Sequence, residues 1–187
     1  MNLVERAKRI LLDPKSEWKV IEGEPGDIGY LFTNYVAILA AIPPVCSFLG
    51  GWLIGYGSIH VGFFSGLIHA IFSYALTLIS IVVVAYIIDF LAGTFGGRSN
   101  IESAMKVAAF APTAAWLAGV FNLIPLLGIL GLLGLYSLYL LHTGIVQLMR
   151  PAPEKALLYT ISVVVCVIVL ELVLFFLIFR AILGMAM

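Results

Sequence analysis

The sequence predicts an all-α integral membrane protein, a bundle of five transmembrane helices behind a short amphipathic N-terminal segment, and three observations carry that prediction. Hydrophobic residues fill 63% of the 187 positions and charged ones 11%, whereas soluble domains are roughly 45–50% apolar. The apolar residues fall into five runs, at about 30–55, 66–91, 106–122, 126–149 and 157–182, with connections too short for a second domain. Nine of the ten Lys and Arg residues lie in the N-terminal segment and in the second and fourth connections, while the first and third carry none. By the positive-inside rule the N-terminus is then cytoplasmic and the C-terminus, five crossings later, outside. The chain divides accordingly into a cytoplasmic segment, 1–29, and a five-span membrane domain, 30–187.

The N-terminal segment starts with Leu3, Val4, Ala7, Ile10 and Leu11 at helical spacing and with Arg6, Lys8 and Arg9 on the other side. That pattern is an amphipathic helix suited to the membrane surface. Asp13 followed by Pro14 stops it and starts a second helix, with Asp13 as N-cap and Pro14 at the first helical position. Trp18 and Ile21 are expected to dip toward the interface, where Trp is favoured. No cleaved signal peptide is expected, since the polar segment is long and a small-residue cleavage pattern is missing.

Span one holds Pro43 and Pro44 near its middle, which remove backbone donors and predict a kink. Gly51 and Gly55 follow at a small-x-x-x-small spacing that favours helix packing, as do Gly62 and Gly66 at the start of span two. Span two carries Ser65, His69, Ser73, Thr77 and Ser80 on one face, which reads as an interior stripe, and Asp89 about 200° away from His69 near the cytoplasmic end. Ser99 with Glu102 has the form of a capping box opening span three. Span three is marked by Ala104, Ala108, Ala111, Ala115 and Gly119, a small-residue face that predicts the tightest packing, and by Pro112 as a second kink. The short turn from Asn122 to Pro125 makes spans three and four an antiparallel hairpin.

Span four runs from Leu126 to Met149 without a full charge. As an α-helix rising about 1.5 Å per residue it is long enough for a hydrocarbon core of roughly 30 Å. Tyr136, Tyr139, His142, Thr143 and Gln147 share an arc of roughly 140°, which is expected to face protein rather than lipid. In span five, Tyr159, Ser162 and Cys166 share one side. Glu171 points elsewhere, and Arg180 is nine residues further on, about 13 Å along a straight helix and too far to pair with it. A carboxylate at that depth is the most unfavourable placement in the chain unless it is protonated or paired.

Three stretches carry a family likeness: RAKRILLDPKSEWKVI (residues 6–21), AMKVAAFAPTAAW (104–116) and FNLIPLLGILGLLGLYSLYLLHTGIVQLMRPAPEKA (121–156). Their order, with DPxxxW ahead of span one and LYSLYLLHTG leading to RPxPEKA, resembles the bacterial branch of the Yip1 family of small multi-pass membrane proteins. The resemblance implies a cytoplasmic N-terminus, five spans and a bacterial inner-membrane location. Eukaryotic members associate with Rab-type small GTPases and with one another; the N-terminal segment here is shorter than theirs. The resemblance supplies no catalytic or ligand residues.

The residues narrow the function to two classes. Neither HExxH, GxSxG nor a phosphate loop occurs, and His60, His69 and His142 fall on different elements, so no catalytic, metal or cofactor site is expected. Zero net charge implies no nucleic-acid partner, and Cys46 and Cys166, inside spans, read as inert buried thiols. The first class is a non-enzymatic protein that organises membrane or protein partners, itself included, through helix packing. The alternative is a small transporter or proton pathway. It would use His69 and Glu171 in the outer half and Asp89 and His142 in the inner half, with Tyr136 and Tyr139 lining the route. Polar side chains that merely hydrogen-bond spans together, each worth about 1 kcal/mol, produce the same pattern.

Overall fold

In the computed structural model of the chain the described residues are 2–55 and 59–186, with Pro125 and residues 177–186 described by backbone alone. Gly57 and Ser58 of the first connection and the Arg180 side chain lie outside that description. The structure is 87% helical, and among the described residues five helices are long and apolar enough to cross a membrane: Ile28–Ile54, Phe63–Phe95, Ile101–Leu123, Leu126–Met149 and Pro153–Phe176. Ahead of them α1 (Leu3–Leu12) and α2 (Pro14–Gly23) form a helical hairpin. The Asn2 side chain accepts from the Val4 and Glu5 amides to cap α1. Asp13 caps α2 by accepting from the Ser16 amide at 3.4 Å, with Pro14 at the first helical position as the sequence predicts.

The hairpin is part of the core rather than a surface float. Trp18, Ile10 and Ile21 are fully buried, so Trp18 does not sit at an interface as its position suggested. Arg6, assigned by periodicity to the polar side of α1, is buried as well. It donates to Glu17 at 2.6 Å and to Glu24, and its guanidinium stands 5.8 Å over the Phe110 ring. A buried cation is tolerable only where partners replace its water, and two carboxylates do so here. Phe110 of span three is the hub, edge-on to Trp18 at 6.2 Å and packed on Tyr35 of span one at 4.6 Å. Lys106 of span three donates to the Ile21 and Glu24 carbonyls, closing the C-terminal end of α2.

The core is gathered at one end of the bundle. Its members are residues 31–40 of span one, 81–92 of span two, 104–116 of span three, 140–149 of span four and 159–163 of span five, together with the hairpin. This is the end that carries the basic connections. Span three lies among spans one, two and four, and two-thirds of its most apolar stretch is buried, against about a fifth for each of the others. Its small residues permit this: a Cβ on Gly119 would stand 2.6 Å from Pro43 Cγ, so the packing glycine of span three meets the first kink proline of span one.

The prolines interrupt their helices one or two residues early. Span one turns at Ala41 before Pro43 and Pro44, and span three at Ala111 and Pro112. The Ala115 amide beyond Pro112 finds Ser137 Oγ of span four at 3.0 Å, a side chain replacing the backbone partner. Three expectations need correction. The cap of span three is Asn100, whose side chain accepts from the Ser103 amide at 2.9 Å; Ser99 instead donates to Asp89 at 2.8 Å. The interior stripe of span two is buried only at Ser80, and Ser65 and His69 are exposed, because the bundle is packed at the other end. Span four is not one α-helix: it is a 3-10 helix over Pro125–Leu135, an α-helix over Tyr136–Gly144 and a π-helix over Ile145–Met149.

Candidate functional site

The polar arc of span four is where the hairpin docks. Tyr136 Oη donates to the Leu11 carbonyl at 3.1 Å, Trp18 Nε1 donates to Thr143 Oγ1 at 3.1 Å, and Gln147 Nε2 donates to Glu22 at 2.6 Å. All three contacts join residues 125 apart, so α2 and span four run parallel in a single register that begins at Leu11, at the turn of the hairpin. Arg150 closes the series with an ion pair to the same Glu22. Trp18 lies flat where span four has no side chain: a Cβ on Gly144 would stand 2.6 Å from its ring. DPxxxW therefore meets LYSLYLLHTG, and the two motifs describe the two sides of one joint.

The third motif, RPxPEKA, locks the same end. Arg150 ends span four in the left-handed conformation, φ +48°, and turns the chain so that Ala152 donates to the Phe95 carbonyl while Arg98 donates to the Met149 carbonyl. The second and fourth connections are thus paired backbone to backbone. Tyr159 stacks on Phe95 at 5.1 Å and donates to the Ile88 carbonyl, tying span five to span two.

Glu22 is the titratable member of the joint. Its carboxyl is held below the ordinary value of 4.5, first by the Gln147 hydrogen bond, which outweighs the opposing effect of burial, and then by Arg150 and Arg98. A folded-state value below the unfolded one gives a contribution that is complete above pH 4.5 and fades as the pH falls through the lowered value. Limited proteolysis of the hairpin is expected to accelerate on acidification over that window. Glu22→Gln, which keeps a hydrogen-bonding group but not the charge, is expected to flatten the dependence; an unchanged acid limb in that variant would assign it to another group.

The remaining singled-out residues fall in several places. His142 Nδ1 is 2.9 Å from Thr160 Oγ1 of span five, and Tyr136 and Tyr139 pack ring to ring at 5.4 Å. Asp89 bonds Ser99 at the basic end, and His69 is exposed in the first part of span two, away from that end. Gly51 is buried and its carbonyl accepts from Val61, while Gly55 takes φ +74° and ends span one. Ala104, Ala108 and Ala111 are buried, but Ala115 is exposed. It and its neighbours Ala108 and Ala111 line a cavity of about 520 Å³ between spans two, three, four and five, with Glu171, itself exposed, also in the lining. The sequence signal for this cavity is the face of span five shared by Thr160, Val164, Val167 and Glu171, of which Val164, Val167 and Glu171 line it.

A five-span helical membrane protein whose N-terminal hairpin and fourth span meet through these motifs belongs to the Yip1 domain family, whose profile matches residues 8–183. The chain is similar to inner membrane protein YohC of Escherichia coli, 32% identical over 171 residues that cover 86% of this chain and 88% of that protein. The protein of the same name from a second Escherichia coli strain matches to the same extent. No solved structure matches.

Proposed function

We propose that this is a non-enzymatic inner-membrane protein that organises membrane or protein partners through helix packing, with the latched N-terminal hairpin as its working element. The observation that supports the reading is the single-register joint between hairpin and span four, because it uses the polar residues of span four for docking. The outward side of the hairpin combines Lys8, Arg9, Lys15 and Lys19 with Val4, Leu12 and Val20, all exposed, a mixture suited to an interface. The distribution of basic residues supports a cytoplasmic N-terminus, which puts that side on the cytoplasmic leaflet. Blue-native migration and crosslinking in mild detergent test the proposal. Assembly into a defined oligomer or a stoichiometric complex that Trp18→Ala disperses is expected, and a strict monomer without a copurifying protein would overturn it.

A further inference from the structure

We propose that the cavity between spans two, three, four and five binds a hydrophobic ammonium ion, its apolar body against the alanine wall and its charged end at Glu171. The proposal is independent of the organising role. The lining comes from four spans and is almost wholly apolar: Ala108, Ala111 and Ala115 form one wall, and Trp116, Leu138 and Val167 are among the residues of the others. The alanines matter because they leave room; at about 520 Å³ the space lies within the range of roughly 300–1,000 Å³ usual for small-molecule sites.

The polar groups in that lining are Thr77, Ser80, Ser137, Glu171 and the indole N–H of Trp116, and it contains neither Lys, Arg nor His. Two hydroxyl protons are already committed. Thr77 Oγ1 donates to the Ser73 carbonyl and Ser80 Oγ to the Thr77 carbonyl, both at 2.9 Å, so each has lone pairs left to accept with. Ser137 Oγ accepts from the Ala115 amide. Glu171 has neither a hydrogen-bond nor an ion-pair partner among the described residues. A chamber supplied mainly with acceptors, one of them a carboxylate at membrane depth, is complementary to a group that brings several N–H donors and a positive charge. A primary ammonium does so, whether carried by a free amine or by the ethanolamine headgroup of a lipid. An anionic or purely hydrocarbon ligand leaves the carboxylate uncompensated.

The test uses the purified full chain in mild detergent and fluorescence anisotropy of monodansylcadaverine, a primary amine on an apolar body, with excess octylamine defining specific binding. Saturable binding is expected, weakened about tenfold or more by Glu171→Gln, by N-acetylation of the probe and by Ala111→Phe, which fills the cavity. Glu171→Asp is expected to retain part of it. Displacement by phosphatidylethanolamine but not phosphatidylglycerol identifies the headgroup as the source, and displacement by neither identifies a free amine. Absence of saturable binding, Glu171→Gln within about twofold of the wild type, or equal displacement by phosphatidylglycerol would each overturn the assignment; Glu171→Gln keeps the test decisive where Ala111→Phe fails to fold.

Discussion

Trp18→Ala is expected to release the N-terminal hairpin from span four and to lower stability by about 3–5 kcal/mol, the range for removing a large buried aromatic side chain. Trp18 is fully buried: its ring fills the notch at Gly144, its edge meets Phe110, and its indole N–H donates to Thr143 Oγ1. Truncation removes all three contacts, and the remaining members of the register, Leu11 with Tyr136 and Glu22 with Gln147, lie on either side of the gap. Unfolding in SDS titrations read by far-UV circular dichroism gives the stability change. Protease cleavage within α2 reads the docking separately, and a variant that resists protease as the wild type does would show that the tryptophan does not hold the joint. Gly144→Leu approaches the same site from the other face and is expected to expose the hairpin too, since the added side chain occupies the space of the indole.

Arg6→Ala is expected to be of similar size, about 3–5 kcal/mol, for a different reason. The substitution leaves Glu17, itself buried, without the guanidinium that compensates its charge. Breaking a buried pair by deleting one partner carries that penalty, while replacing both by apolar groups of similar volume is often neutral or stabilising. Arg6→Met with Glu17→Leu is therefore expected to recover most of what Arg6→Ala loses. The same SDS titration decides it: additive losses in the double variant would mean that the two side chains do not act as a pair. Glu24, half-exposed on the other branch of the guanidinium, is expected to matter less because water screens it.

These effects centre on residues whose roles were only partly legible in the sequence. The five apolar runs, the turn at Asp13 and Pro14 and the breaks at Pro43, Pro44 and Pro112 follow from local chemistry, and local chemistry is what a sequence displays. The partner of an arc is not local. Periodicity places Tyr136, Thr143 and Gln147 on one face but says nothing of what covers it, and the cover is a segment read as a surface helix. Helical periodicity sorts residues by average polarity and so puts Arg6 on the polar side, whereas two carboxylates from α2 and the chain beyond it make this arginine an interior residue. The 3-10 stretch had a signal that a search for α-helix overlooks: Gly128, Gly131 and Gly134 recur every three residues, the period of a helix with three residues per turn. Gly134 uses that geometry, since a Cβ there would stand 3.1 Å from Ala115 Cα.

The constant offset of 125 residues between the hairpin and its seat on span four also fixes an order of events during synthesis. The hairpin is made before its seat: Gly144, Gln147 and Arg150 are still more than a hundred codons away when α2 is complete. At roughly 5–20 residues per second the ribosome needs on the order of ten seconds to supply them. Until span four follows, Trp18 has no notch at Gly144 to enter and Glu22 lacks Gln147 and Arg150, although Phe110, which meets both Arg6 and Trp18, has been made before them. Docking on span four is consequently a late step of assembly, complete only once the connection between spans four and five, which carries Arg150, has been made.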